Sequence, residues 1–304
     1  MPGKDWRAEL IAAVQPGNYR YDEPMSHHTS FRIGGPADLM IEVGTPDELA
    51  RTVDYCRQAG IFWFLLGRGT NLLVKDEGIR GVVLKLAGEF SRITIEGEKI
   101  KAGAALSLAM VAEQAARHGL AGFEFASGIP GSIGGAVFMN AGAYGREMKD
   151  VVSAVHVYEP GQGFKIYQRD EMEFAYRSSR LQTEGGICLE VLLALTPGEE
   201  GLIRQEMGEL NSRRREKQPL EYPSAGSVFK RPSHDFAGRL IEEAGLKGKQ
   251  VGKAQVALKH AGFIINLGGA TAQDVLELIA LVQEEVYRKS GVWLEPEIRV
   301  IGGS

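Results

Sequence analysis

The sequence predicts an α+β protein, and three observations carry that prediction. A strand–helix–strand pattern spans residues 37–66. The middle third alternates as hairpins. From about residue 199 the pattern shifts to longer helices separated by short apolar strands. At 304 residues the chain can hold two or three domains at roughly 150 residues each, and the change of character sets a boundary near residue 200.

Asp5 to Val14 reads as a short amphipathic helix, and Pro16-Gly17 breaks it. Ala37–Val43 is a strand. Thr45-Pro46 supplies an N-cap and a proline at the first helical position, Asp47-Glu48 suit the positive end of the helix, and Gly60 stops it. The apolar run IFWFLL (61–66) completes a β-α-β unit. GVVLKL (81–86) is a strand and RITIEGEKIKAGAA (92–105) a hairpin. Ser107 caps a helix ending at His118-Gly119. Residues 151–168 form a second hairpin around Gly161-Gln162-Gly163, and 187–196 is a buried strand. Helices follow at 199–217, 236–243 and 271–289, strands at 262–267 and 292–302.

Composition excludes several classes. The chain is 44% apolar and 24% charged, as in ordinary soluble globular proteins, and a net charge of −4 provides no basic field for nucleic acid or an anionic membrane. Cys56 and Cys188 stand in apolar surroundings without metal-ligand spacing, and read as buried thiols in a reducing compartment. MPGKDWRAEL has no apolar signal core and no run approaches membrane-span length, so a cytoplasmic location is expected. No heptad or exposed apolar helix stands out, so a monomer is expected. His27, His28 and His260 lack companions for a metal.

The densest signal is GIPGSIGGAVFMNAGAYG (128–145), with glycines at 128, 131, 134, 135, 142 and 145 and Gly122 just ahead. Such a backbone can take φ > 0, lie against a ligand and offer bare N–H groups to a pyrophosphate. GRGTNLLV (67–74) is a second tight turn after a strand. An ordinary dinucleotide fingerprint is excluded there, because Leu72 stands where the third glycine belongs and no helix pattern follows.

Three constellations could carry chemistry. FAYRSSR (174–180) holds Arg177 and Arg180, forks suited to carboxylate or phosphate; an ordinary surface ion pair is the plainer alternative. SAGSVFKRP holds Ser227 in a small-residue loop with Lys230 and Arg231 following, but not the G-x-S-x-G elbow of a serine hydrolase. LEPEIRVIG places Glu295 and Glu297 on one side of a strand, where paired carboxylates suit acid–base work and equally an exposed edge. The basic run RRREK (213–217) complements a helix C-terminus.

Together TSFRIGG (29–35), GRGTNLLV, GIPGSIGGAVFMNAGAYG, FAYRSSR, PSAGSVFKRP and EPEIRVIG, in this order and spacing, resemble the UDP-N-acetylenolpyruvoylglucosamine reductase family across residues 25–302. The resemblance implies a bipartite FAD-binding module of the vanillyl-alcohol-oxidase (PCMH) type, residues 1–85 and 86–200, followed by a smaller α+β substrate domain, 201–304. It implies NADPH-dependent, FAD-mediated reduction of UDP-N-acetylglucosamine enolpyruvate to UDP-N-acetylmuramate, a step of peptidoglycan synthesis.

FAD contacts are implied at Gly67, Arg68, Gly69, Thr70, Asn71 and Leu72. The second glycine stretch contributes Gly128, Gly131, Ser132, Gly134, Gly135 and Ala136, then Asn140, Ala141 and Gly142; Ile187 adds one more. The catalytic set falls on Arg177, Ser227 and Glu297. Arg177 would hold the substrate carboxylate and Ser227 would protonate C2. Glu297 would meet that carboxylate only as its acid or through a shared proton. Tyr176, Arg214, Lys217 and Lys230 fall on substrate contacts. No tyrosine lies between Tyr176 and Tyr222, so the chain resembles the shorter type that lacks an inserted tyrosine-bearing loop. Two other classes stay open: a sugar or aldonolactone oxidase on the same module, against which the Ser and Glu motifs argue, and a non-catalytic nucleotide-sugar binder, against which the intact Arg177, Ser227 and Glu297 argue.

Overall fold

The computed structural model describes residues 6–303. The first helix runs Trp6–Val14, and Asp5, its expected start, lies outside the described residues. Contacts divide the chain into two compact units, one of residues 6–21, 39–67 and 81–212, the other of 22–38, 68–80 and 213–303.

The first unit carries two larger sheets and two short two-stranded pairings, Gly142–Ala143 with Arg146–Glu147 and Leu120–Ala121 with Thr196–Pro197. The four-stranded sheet has the order Asn18–Pro24, Pro36–Val43, Ile79–Leu86, Trp63–Leu66, with the last two parallel and Trp63 opposite Val82. The expected β-α-β unit is present, but Ile79–Leu86 lies between its two strands. The helix Pro46–Gln58 starts as its sequence demands: Thr45 Oγ1 accepts the Glu48 N–H at 3.2 Å, a cap worth about 1 kcal/mol. Leu49, Val53 and Cys56 of this helix share a core with Leu39, Ile41 and Leu84 of the sheet. The expected strand at 61–66 forms only from Trp63, and Phe62 is 52% exposed.

The second sheet of this unit is antiparallel throughout, in the order Gly163–Gln168, Val152–Glu159, Ile187–Ala194, Lys99–Gly103, Ile93–Glu96. Both expected hairpins are in it, with Ile95 opposite Ile100 and Glu159 opposite Gly163. The helix Leu108–Arg117, capped by Ser107 Oγ on the Met110 N–H, and the short helix Ile133–Phe138 share its core through Val111, Ala115, Ile133 and Val137.

In the second unit the sheet order is Ser224–Ser227, Phe263–Asn266, Ala254–Val256, Gln250–Val251, all antiparallel. Helices Ala237–Glu243 and Ala272–Ser290 share its core through Leu240, Ile241, Val275 and Ile279. Phe31, Ile33 and Leu73 join that same core. Leu72–Val74 pairs in parallel with Arg299–Ile301. The Asp76 carboxylate accepts the N–H groups of Ala272 at 2.9 Å and Gln273 at 3.1 Å, adding acceptors at the start of the long helix. The expected strand over 292–302 is confined to Arg299–Ile301, because Pro296 has no N–H for a ladder and makes only a bridge to Phe229. Among the described residues, no helix is long and apolar enough to cross a membrane, and no cluster of metal-ligating side chains occurs.

Candidate active site

In the first unit the glycine stretch differs from its expectation. It folds around the helix Ile133–Phe138, and of its glycines only Gly145 has positive φ; Gly122, just ahead, has it too. The leading N–H groups of that helix are already engaged. Ile133 donates to Leu106 O at 2.8 Å, Gly134 to Ala104 O at 3.0 Å, and Gly135 to Ser132 Oγ at 3.3 Å. They therefore form no row of bare donors. Glycine is required here by close approach: a Cβ on Gly134 would sit 2.8 Å from Ala104 Cβ, and one on Gly142 2.4 Å from Arg146 O.

A cradle remains. Gly67 is exposed, and a Cβ placed on it would come within 2.9 Å of Ser132 Oγ. Gly135 is exposed beside the same hydroxyl. Exposed main chain without side chains at Gly67 and Gly135 fits the close approach of a large cofactor such as FAD. Gly128 and Gly131 lead into it half-buried, and Gly131 O accepts the Leu108 N–H at 3.1 Å. Ala136 is buried in the helix, and its carbonyl accepts the Ala141 N–H at 2.8 Å.

Asn140 is fully buried at φ +41°, and its amide is saturated within the chain. It donates to Glu147 Oε2 and Ala175 O, both at 3.0 Å, and accepts the Lys149 N–H at 3.0 Å. Its side chain thus joins the glycine stretch to the FAYRSSR segment. Ile187 is 2% exposed in the core beside Tyr158.

Arg177 stands on a tight turn closed by the reciprocal bonds Ala175 N–H to Ser178 O and Ser178 N–H to Ala175 O, both 3.1 Å. Its φ of +54° is unusual for a non-glycine residue. Two residues absent from the sequence-based set hold this turn: Gln182 Nε2 donates to Arg177 O at 3.0 Å and Phe138 O at 2.7 Å, and Ser179 Oγ donates to Phe138 O at 2.8 Å. No spacing rule reveals such side chain-to-backbone bonds. The Arg177 guanidinium lies 5.4 Å from the Tyr176 ring, which is 49% exposed. Arg180 takes the plainer alternative, pairing with Glu184 at 2.6 Å over the Tyr167 ring.

The second unit holds the other constellations. Ser227 is exposed at the end of a strand rather than in the expected loop, opposite Phe263. Glu297 N–H donates to Val228 O at 2.7 Å, so its backbone is bound beside Ser227. Asn71 joins them: its Nδ2 donates to Glu297 O at 3.2 Å and its carbonyl accepts the Arg299 N–H at 3.1 Å. The expected equivalence of Glu295 and Glu297 on one strand face fails, since no strand exists there. Glu295 instead pairs with Lys230 Nζ at 2.5 Å.

Gly69 sits at φ +62°, where a Cβ would lie 2.1 Å from His28 O. Arg68 beside it is exposed, Thr70 half-buried, and Leu72 buried in register with Arg299. Lys217 is exposed and Arg214 half-buried at the end of the helix Glu200–Lys217. Arg177 belongs to the first unit, Ser227 and Glu297 to the second.

Both cysteines are buried, and burial pushes the Cys56 thiol up to about 11 and raises that of Cys188. His28 bonds Glu23 Oε1 at 2.7 Å, and His260 Nδ1 accepts the Gly262 N–H at 3.1 Å.

Comparison with known proteins matches the arrangement over nearly its full length. The family described as FAD binding domain matches residues 37–163, and that described as UDP-N-acetylenolpyruvoylglucosamine reductase, C-terminal domain, matches 218–301. The chain is 53% identical over 294 residues to the UDP-N-acetylenolpyruvoylglucosamine reductase of Caldanaerobacter subterraneus subsp. tengcongensis, covering 97% of each chain. It is 48% identical over 297 residues to reductase 2 of Symbiobacterium thermophilum, covering 97% of this chain and 96% of that one. The crystal structure of the enzyme from Thermus caldophilus is similar at a TM-score of 0.81 and 41% identity, over 93% of this chain and 98% of that one. An FAD-type module followed by a reductase C-terminal domain, with relatives this close along the whole chain, leads to one conclusion: the chain belongs to the UDP-N-acetylenolpyruvoylglucosamine reductase family.

Proposed function

We propose that Arg177, Ser227 and Glu297 carry the reduction of UDP-N-acetylglucosamine enolpyruvate to UDP-N-acetylmuramate in this chain. The protein is a flavin-dependent oxidoreductase of peptidoglycan synthesis that uses FAD and NADPH. With NADPH as the source, FAD, when bound, would supply the hydride for C3 of the enolpyruvyl group. The cradle of Gly67, Ser132 and Gly135 and the turn Gly67–Leu72 would hold its pyrophosphate.

Hydride addition at C3 drives negative charge onto the substrate carboxylate. The Arg177 guanidinium can receive that carboxylate with two parallel N–H bonds and stabilise the charge as it develops. The turn at Arg177, with its positive φ and its bonds to Gln182, favours a preset orientation. Ser227 then delivers a proton to C2. Glu297 would share a proton with the carboxylate, since two anions repel. Arg214 and Lys217 would meet the diphosphate of the sugar nucleotide, with Lys230 and Tyr176 at its margins. We assign residues 1–85 and 86–200 to cofactor binding and 201–304 to substrate binding, and take the working protein to be a cytoplasmic monomer.

The observation that carries the reading is the bond from Glu297 N–H to Val228 O, which supports a joint role for Ser227 and Glu297. The test is anaerobic. In Ser227→Ala, NADPH should bleach the flavin at the normal rate, while reoxidation by the enolpyruvyl substrate falls by roughly 10²- to 10³-fold, as when one transition-state donor is removed. Loss of both half-reactions would reject the assignment. A wild-type flavin reoxidised only by air would replace the reductase reading with an oxidase.

A further inference from the structure

Resting on the roles proposed above, we infer that Ser30 is a positioning residue that sets the strand bearing Ser227 against the cofactor turn Gly67–Leu72. TSFRIGG is the one motif of the chain left without a part in the chemistry, and the bonds of its serine supply one. Ser30 Oγ donates to the main-chain carbonyl of Ser224 at 2.6 Å. The same hydroxyl lies 3.3 Å from Gly69 O, and the Ser30 N–H donates to Gly69 O at 3.0 Å. A hydroxyl has one proton, and the shorter contact takes it. Gly69 is served by the backbone N–H. One half-buried residue thus holds one carbonyl in the cofactor turn and another at the head of the Ser227 strand, all within the second unit.

The strand needs this second hold because its ladder is irregular. Ser224 pairs with Ile265 and Ser227 with Phe263, so Ala225 and Gly226 together oppose the single residue Ile264. Gly226 stands at φ +79°, as a bulge permits. A bulge re-aims the side chains beyond it, and here the next exposed side chain is Ser227. Beyond the bulge the chain is tied at Val228, whose N–H donates to Gly262 O at 2.9 Å and whose carbonyl accepts the Glu297 N–H at 2.7 Å. Before the bulge, the Ser30 hydroxyl reinforces the ladder at Ser224.

Gly69 does not depend on that hydroxyl. Its N–H partner is main chain, and its position against His28 O admits no side chain. Alanine at position 30 therefore loosens the serine strand and leaves the cofactor turn in place. A displacement of about 1 Å in a reacting group can cost on the order of 10²-fold in rate.

The experiment follows the two half-reactions of the holoenzyme by anaerobic stopped flow. For Ser30→Ala we expect flavin content and thermal midpoint like the wild type's and bleaching by NADPH within about twofold of it. Reoxidation by UDP-N-acetylglucosamine enolpyruvate should slow by roughly 10- to 100-fold, with a larger solvent deuterium isotope effect as proton delivery becomes limiting. Ser30→Thr keeps the hydroxyl and should restore most of the rate. The inference is overturned if Ser30→Ala reoxidises at the wild-type rate, or if Ser30→Thr is as slow as Ser30→Ala. Equal slowing of both half-reactions, or loss of flavin, would also overturn it, because Ser30 would then be part of the turn's framework alone. A failure of the underlying reading is visible separately, since it would appear in the wild type as flavin that the enolpyruvyl substrate cannot reoxidise.

Discussion

Adding one methyl group at Gly134 and, separately, at Gly135 distinguishes close packing from ligand approach in the glycine stretch. Both residues lie in the helix Ile133–Phe138 and neither has positive φ, so alanine is conformationally acceptable at each and gains up to about 1 kcal/mol of helix propensity. Their surroundings differ. A Cβ on Gly134 would stand 2.8 Å from Ala104 Cβ and 3.0 Å from Ala104 O, the oxygen that already accepts the Gly134 N–H. These neighbours belong to the backbone and its first side-chain atom, so neither can rotate away. Overpacking of this kind costs about 1–3 kcal/mol, and disturbing the hydrogen bond adds about 1 kcal/mol. Less the propensity gain, Gly134→Ala should be destabilised by about 1–3 kcal/mol.

Gly135 is exposed, and its nearest neighbour would be Ser132 Oγ at 3.3 Å. Gly135→Ala should leave the FAD-free protein as stable as the wild type or slightly more so. If the cofactor lies against this backbone, the same variant should bind FAD at least tenfold more weakly, a loss of about 1.4 kcal/mol. Thermal unfolding of the flavin-free proteins by circular dichroism, with FAD titration by quenching of its fluorescence, measures both quantities. Gly134→Ala as stable as the wild type would refute the packing argument, and undiminished FAD affinity in Gly135→Ala would refute the cradle.

Other perturbations have equally definite outcomes. Arg177→Lys keeps the charge but loses the two-pronged fork, so reoxidation by the enolpyruvyl substrate should fall about 10²-fold while reduction by NADPH is unaffected; reoxidation at the wild-type rate would remove Arg177 from the reaction. Asp76→Ala removes an acceptor from the N–H groups of Ala272 and Gln273, and should cost about 1 kcal/mol in denaturant unfolding of the apoprotein. Burial holds the His260 imidazole below its ordinary 6.5, aided by Lys247, and Nδ1 must stay unprotonated to accept the Gly262 N–H. The unfolded chain therefore takes up the proton first, and stability should be lost as pH falls below 6.5; His260→Asn should show a shallower decline between pH 7 and 5, measured by urea midpoints. Because burial raises the Cys56 and Cys188 thiols, neither should react with a thiol reagent at pH 8 until the protein is unfolded.

The elements legible in the sequence are those whose causes are local. Thr45-Pro46 and Ser107 mark helix starts because a cap needs only a side-chain oxygen and the next turn's N–H groups. The hairpins at 93–103 and 152–168 are legible because alternation and turn glycines specify register within a few residues. The catalytic candidates were legible only jointly, through six motifs in order, since each alone has an ordinary structural use. Local pattern misled where distant backbone was decisive. The glycines of 128–145 suggested positive φ, yet Gly134 is small because Ala104, thirty positions away, presses against it. Glu295 and Glu297 suggested a shared strand face, yet Pro296 interrupts the ladder and Lys230 takes Glu295.

Sequence alone, then, determined the α+β class and most element positions, because caps and periodicity are properties of neighbouring residues, while the candidate set Arg177, Ser227 and Glu297 followed from the resemblance of six motifs, in order along the chain, to a known family. Only the tertiary structure decided that residues 22–38 and 68–80 join the C-terminal segment, that Asn71 touches the backbone of Glu297, and that Ser30 holds Ser224. Those facts depend on hydrogen bonds between residues more than 190 positions apart. A backbone carbonyl looks the same in every sequence, so which side chain reaches it is settled only when the chain has folded.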